Sequence, residues 1–133
     1  MTGFLLDTNI CIYFIKGKYN LANRIETVDP DAIFISEITL AELKFGVANS
    51  ANPSRNQVVL EDFIRGVRVL PIIEGLDIYA NEKTRLRRLG TPIDEFDLLI
   101  GSTAIFYDLT LVTRNVRHFE RLKGIRIEDW TCP

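Results

Sequence analysis

Five short apolar runs, with stretches of helical apolar spacing between them, constrain this chain more than any other feature. The runs lie at Gly3–Leu6, Ala32–Ser36, Arg68–Ile72, Leu109–Thr113 and Ile125–Glu128, and their length predicts strands. Helical patterns cover Asn9–Lys16, Leu21–Val28, Ile38–Asn49, Ser54–Val67, Gly75–Leu89 and Asp94–Tyr107, with a short turn near Val116–Leu122. Pro30, Pro53 and Pro92 mark boundaries, and Pro53 stands where a helix can start. Strands alternating with helices imply βαβ units, right-handed crossovers and a mostly parallel sheet. With no linker dividing it, the chain is expected to form one α/β domain over residues 1–133.

The alternation has a geometric consequence. In a βαβ unit, helix N-termini and strand C-termini share one edge of the sheet, and in open α/β folds ligands bind at that edge. The first run ends in an acid, Phe4-Leu5-Leu6-Asp7-Thr8-Asn9, so Asp7 is delivered there. Glu42 belongs to the early turns of the helix after the second strand, Asp97 to the first turn of the helix before the fourth, and Asn115 follows that strand. A cluster of oxygen ligands in one place suits a hard divalent cation.

Each residue also has a plainer explanation. Asp7 can cap the first helix, a role compatible with metal binding because a carboxylate has several lone pairs. Glu42 lies roughly 40° from Ile38 and 60° from Phe45 around its helix, on the flank of the apolar stripe, where a free charge is costly. An exposed or salt-bridged glutamate explains it equally. Asp97 shares a face with Ile100, Gly101 and Ala104, and Gly101 permits another backbone to approach. Acids are common in first turns for capping alone, although Asp94 is placed to be the cap. Thr113 and Asn115 read in isolation as turn residues.

Composition narrows the chemistry. The net charge of −2 argues against coating nucleic acid by bulk electrostatics. At 133 residues the chain can bury roughly two thirds of its unfolded surface. No stretch approaches the ~18 apolar residues of a membrane span, and Cys11 and Cys132 lie far apart, so a reduced, soluble, cytoplasmic protein is expected. With His118 as the only histidine, neither a paired-histidine ribonuclease nor a zinc site of several histidines can be built, and His118 reads as a surface or structural residue. No Gly-x-Ser-x-Gly elbow or phosphate-binding loop is present.

At these residues the chain resembles the PIN-domain ribonucleases, specifically the VapC toxins of type II toxin–antitoxin modules. The matching stretches are Leu5 to Asn9, Ser36 to Leu43, Gly46, Gly90 to Gly101, Leu111 to Asn115, Phe119 and Gly124 to Trp130. They occur in the family's order over nearly the whole chain. The resemblance implies a PIN-like three-layer α/β/α fold with about five strands in a mostly parallel central sheet. It further implies an Mg²⁺- or Mn²⁺-dependent endoribonuclease in which Asp7 and Asp97 are the metal ligands, Glu42 completes the pocket, and Asn9 and Thr113 orient ligands or waters. The fourth family position, often Asp, is Asn115 here, a departure that removes one charge and implies one firmly held metal. RNA, possibly tRNA, is the implied substrate, and a homodimer and a VapB-type antitoxin seated in the groove above the acids are the implied partners. The first helix, with Ile10, Cys11, Tyr13, Phe14 and Ile15, carries more apolar surface than one core face needs; part of it can serve such an interface, and core packing is the alternative.

Two basic sets flank the acids, namely Lys83, Arg85, Arg87 and Arg88, and Arg114, Arg117, Arg121 and Lys123. Arg85, Arg87, Arg88, Arg114 and Arg117 are candidate RNA contacts; a solvated face paired with acids such as Glu82 is the alternative. Two other functions share parts of the pattern. A receiver-like phosphoacceptor domain also uses acids at a parallel-sheet edge but expects adjacent acids after the first strand. A catalytically silent RNA-binding PIN module is made conceivable by Asn115.

Overall fold

The chain folds around the strands anticipated above. The computed structural model describes residues 3–132. In chain order the elements are β1 (Phe4–Leu6), α1 (Thr8–Ile15), α2 (Leu21–Glu26), β2 (Ile33–Ser36), α3 (Glu37–Ala48), α4 (Pro53–Arg65) and β3 (Arg68–Leu70). They continue with α5 (Leu76–Arg88), α6 (Glu95–Phe106), β4 (Thr110–Val112), α7 (Val116–Phe119) and β5 (Arg126–Glu128). Single 3-10 turns at Pro30–Ala32 and Ile73–Gly75, not anticipated from the sequence, lead into β2 and α5.

The strands pair in the order β3-β2-β1-β4-β5, and every pairing is parallel. The expectation of a mostly parallel sheet is thus sharpened to a wholly parallel one. The order also separates the fold from the receiver-like alternative, whose strands run 2-1-3-4-5. Alternate residues of the central strands β1, β2 and β4 enter opposite cores. Leu6, Ile33, Ile35 and Val112 pack with Ile10, Leu21, Leu43, Leu60 and Phe63 of α1–α4. Leu5 and Leu111 pack on the other face with Leu86, Leu98, Ile100, Ala104 and Phe119 of α5–α7. Helices therefore cover both faces, which is the only way a parallel sheet hides its strands from water.

Local chemistry sets the ends. Asp7, Ser36, Asn52 and Asp94 accept hydrogen bonds from the first free N–H groups of α1, α3, α4 and α6, and Pro53 starts α4. Helix α5 stops in a Schellman turn: Gly90 adopts φ 73° while the Gly90 and Thr91 N–H groups return to the Arg87 and Leu86 carbonyls. Strand β3 ends two residues before the expected Ile72, because the Ile72 N–H donates to Glu37 Oε1 at 2.8 Å and leaves the ladder. Cys11 is buried, Cys132 is exposed, and both are free. None of the described helices is long and apolar enough to cross a membrane.

Gly101 serves close packing in a way the sequence did not reveal. What approaches it is not backbone but side chains: a Cβ there would stand 2.3 Å from Leu122 Cδ1 and 3.4 Å from Phe119 Cδ1. Both neighbours are buried. Gly101→Val should therefore destabilise the fold by about 1–3 kcal/mol, read as a lower urea midpoint with an unchanged slope.

Candidate active site

Strand order decides where the acids meet. β1 is flanked by β2 on one side and β4 on the other, so the chain's connections reverse direction beside it. The crevice beyond the strand ends at such a point is the usual ligand site of an open α/β sheet. Leu6 pairs with Val112, which places Asp7 and Thr113 side by side as the first residues past the sheet.

Asp7 is only 5% exposed, and both of its carboxylate oxygens are occupied. Oδ1 accepts from the Thr8 N–H at 2.8 Å, and Oδ2 accepts from Thr113 Oγ1 at 2.8 Å. Asp7 is thus a helix cap and a buried, oriented acid at once. Thr113 Oγ1 in turn accepts from the Asn115 N–H at 2.9 Å, tying the loop after β4 to the same carboxylate.

Thr8, which the sequence did not mark as functional, joins the next member. Its hydroxyl lies 2.6 Å from Glu42 Oε1 and 3.1 Å from Thr39 Oγ1. Glu42 is half-buried, as its position on the flank of α3 required. A Thr directly after the strand-end acid, facing a Thr-x-x-Glu on the neighbouring helix, was the available signal. Asp97 is half-buried on α6, and Asp94 caps that helix by accepting from Phe96 and Asp97 N–H groups at 3.1 and 3.3 Å. Asn115 precedes α7 without using its side chain as a cap, whereas Asn9 is exposed on the outer side of the first turn of α1.

The electrostatics register the crowding. Burial, reinforced by Asp7, Asp94 and Glu42, pushes the Asp97 carboxyl up to about 7. Burial also raises Asp7, against the hydrogen bonds from Thr113 and Thr8. An excess of negative charge therefore sits at one sheet edge, and among the described residues no side-chain cation forms an ion pair with Asp7, Glu42 or Asp97. Among the described residues no three His, Cys, Asp or Glu side chains are grouped so that together they could hold a metal ion. One or two carboxylates with an open remainder suit Mg²⁺, which keeps several waters, better than a fully protein-ligated ion. The donor set, all oxygen, with Asp7 and Asp97 both raised by burial and by neighbouring carboxylates, fits such a group.

The basic residues divide into two kinds. Arg85 forms a forked pair with buried Glu82 at 2.7 and 2.9 Å and donates to the Arg121 carbonyl at 2.6 Å. Glu82 also accepts from the Lys123 N–H at 2.6 Å, and Arg121 reaches the Pro92 carbonyl at 3.1 Å. These contacts clasp α5 to the loops around α6 and α7, so Arg85 is engaged within the fold instead of facing a ligand. Lys83 pairs with Glu95 at 2.8 Å. Arg87, Arg88 and Arg117 are exposed, and among the described residues none of the three forms an ion pair. His118 is exposed, as a surface residue should be.

Residues 4–125 match the model of the PIN domain family. The tRNA(fMet)-specific endonuclease VapC of Salmonella typhimurium is 40% identical over 131 residues, covering 98% of this chain and 99% of that protein. Ribonuclease VapC2 of Rickettsia felis is 37% identical over 130 residues, covering 96% and 97%. Among solved structures, DNA-bound VapBC from Salmonella typhimurium superposes with a TM-score of 0.91 at 40% identity, covering 98% of this chain and 99% of that one. VapBC2 from Rickettsia felis, bound to a DNA fragment from its promoter, gives 0.90 at 35% identity and covers 96% and 98%.

The raised acids set a pH dependence. A carboxyl whose pKa rises from 3.8 to about 7 on folding favours the fold fully below pH 4, and that contribution is lost as pH climbs through 7. In chelator, unfolding stability should fall over that window, with Asp7 adding in the same sense. Asp97→Asn should flatten most of the fall, as followed by denaturant titrations between pH 4 and 8.

Proposed function

This chain belongs to the PIN-domain family, and from that premise we propose that it is a divalent-metal-dependent endoribonuclease acting as the toxin of a type II toxin–antitoxin pair. The observation that carries the site assignment is the buried Asp7 carboxylate at the sheet's switch point, oriented by Thr8 and Thr113 and electrostatically coupled to Asp97 and Glu42. Asp7 and Asp97 would hold Mg²⁺ or Mn²⁺. The ion supplies activation of water and neutralisation of phosphate charge.

The chain's own groups do the rest. Thr113 fixes the Asp7 carboxylate through Oδ2 and, through the Asn115 N–H, sets the loop that carries the Asn115 amide. Thr8 occupies Glu42 Oε1, leaving Oε2 to accept a proton from the attacking water. Asn115 contributes a neutral donor and acceptor where a carboxylate would add charge, which favours one strong metal site. Asn9, exposed on the first turn of α1, is the further candidate for orienting water, as the family pattern implies. Arg87, Arg88, Arg114 and Arg117 are the candidates for phosphate contacts, with Arg85 withdrawn to the clasp.

RNA of tRNA type is the proposed substrate, as the names of the relatives suggest, and the cytoplasm the proposed place of action. A VapB-type antitoxin is the proposed inhibitor. A groove of about 380 Å³ between α1, α3 and α4, lined by Ile12, Ile15, Leu43, Val47 and Val59 with Glu42 among its walls, supports docking of such a segment next to the acids. Exposed Ile73 and Leu76, leading into α5, offer apolar surface for a homodimer.

Cleavage of a tRNA should require Mg²⁺ or Mn²⁺ and stop in EDTA. Because partners one shell out from a metal are worth about 10–100-fold, Thr113→Val should cost that much in rate, and Asp7→Asn or Asp97→Asn at least as much. Full activity of Asp97→Asn would remove Asp97 from the site.

The two kinds of arginine should separate in a salt titration of RNA binding. Arg87→Ala and Arg117→Ala should each lower the slope of log K against log salt by about 0.7, one phosphate contact to a single strand. Arg85→Ala should leave the slope alone and cost about 1–3 kcal/mol of stability instead.

A further inference from the structure

One cluster beside the acid edge is explained neither by the core nor by the catalytic groups. The turn between α1 and α2 contains two consecutive left-handed residues that are not glycine, Tyr19 and Asn20, each at φ 58°. A tyrosine rarely adopts that backbone, and such outliers gather at functional sites. The turn is held firmly. Gly17 takes φ 71°, the Lys18 N–H returns to the Tyr13 carbonyl at 2.8 Å, and Asn23 donates to the Asn20 side chain at 2.8 Å.

The result is that the Tyr19 ring is displayed, 44% exposed, with its edge against Tyr13 at 5.1 Å between centroids. Arg114 comes to meet it from the end of β4. Its guanidinium carbon stands 4.8 Å from the Tyr19 ring centre and 5.7 Å from that of Tyr13, and Nη1 donates to Tyr19 Oη at 2.6 Å. Arg114 is itself exposed, and its backbone lies between Thr113, which holds Asp7, and Asn115. The cation and rings therefore flank the acids on the side opposite the α5–α6 clasp.

A guanidinium backed by aromatic rings presents a flat polarisable surface with N–H donors left over. That combination recognises an unpaired nucleobase by its face and the adjoining phosphate by its charge. Sequence-independent stacking needs no base-edge readout, and the fixed turn means little ordering is left for the binding step. We propose that Arg114 and Tyr19, supported by Tyr13, form a stacking site for an unpaired RNA base flanking the scissile phosphate. This rests on the ribonuclease reading above and adds a residue, Tyr19, that positions substrate.

The test measures binding apart from cleavage. Single-stranded RNA oligonucleotides, each with one abasic position, are titrated in EDTA against an Asp97→Asn parent and followed by fluorescence anisotropy. Tyr19→Ala should weaken binding of intact RNA about tenfold, while Tyr19→Phe should stay near the parent. Arg114→Lys should lose most of the same factor although its charge is kept. One abasic position should weaken the parent about tenfold yet leave Tyr19→Ala unaffected, a coupling that a purely structural role would not produce. Tyr19→Leu, which keeps bulk without a π-face, covers the case in which Tyr19→Ala folds poorly, and it should bind like Tyr19→Ala. Parent-like binding by folded Tyr19→Ala or Tyr19→Leu, with the abasic penalty undiminished, would overturn the stacking site while wild-type cleavage stands. If wild type neither cleaves nor binds RNA, the ribonuclease reading falls as well, and the stacking site with it.

Discussion

A carboxylate with 5% exposure, held at the end of the first strand, is the constraint on which the rest of this structure depends. Removing Asp7 from water is unfavourable, and the fold answers with two hydrogen bonds of 2.8 Å, one from backbone and one from Thr113. The bond from Thr113 requires β4 to lie directly beside β1 in register with it, which in turn requires the strand order that reverses at β1. The remaining acids cannot be relieved in the same way. Asp97 has neighbouring carboxylates and, among the described residues, no ion pair, and its carboxyl is pushed up to about 7. A structure that spends stability in this manner concentrates charge where a divalent ion and a phosphate can use it.

The same edge is braced from behind by a second polar device. Buried Glu82 receives the forked Arg85 and the Lys123 N–H, while Arg121 spans to the Pro92 carbonyl. Three segments that differ widely in sequence position are joined, and two of them lead to Asp97 and Asn115. Removing one partner would leave a buried charge uncompensated, so the clasp stabilises chiefly by being complete. On the opposite flank the Arg114–tyrosine cluster borders solvent. The acids thus sit between an inward-facing basic cluster that organises protein and an outward-facing one suited to a strand.

Much of this was legible before folding. Apolar runs of strand length, helix spacing between them and helix-start signals such as the Asp94 cap and Pro53 depend on neighbours within a few residues, so they survive in one dimension. Asp7, Glu42 and Asp97 were legible as a set because the geometry of βαβ units brings strand ends and helix starts together whatever the strand order. Strand ends were read one or two residues long because the ladder, not apolar character, ends a strand; at Ile72 a Glu37 carboxylate takes the N–H. Thr8 passed unnoticed because its partner Glu42 is 34 residues away.

The sequence alone determined an α/β domain class, the acids at strand and helix ends and the family resemblance, since periodicity and local capping are properties of adjacent residues. The tertiary structure decided which arginine was which. Glu82 stands three residues before Arg85, a pairing that helix spacing allows. Only the packing of the Arg121–Lys123 segment against α5 gives Glu82 the Lys123 N–H and Arg85 the Arg121 carbonyl, while Arg87 faces water. It also decided that Tyr19 would be an exposed ring under Arg114, an encounter between residues 95 positions apart. Such pairings are set by which elements the sheet order makes neighbours, information that long-range packing carries and short-range pattern does not.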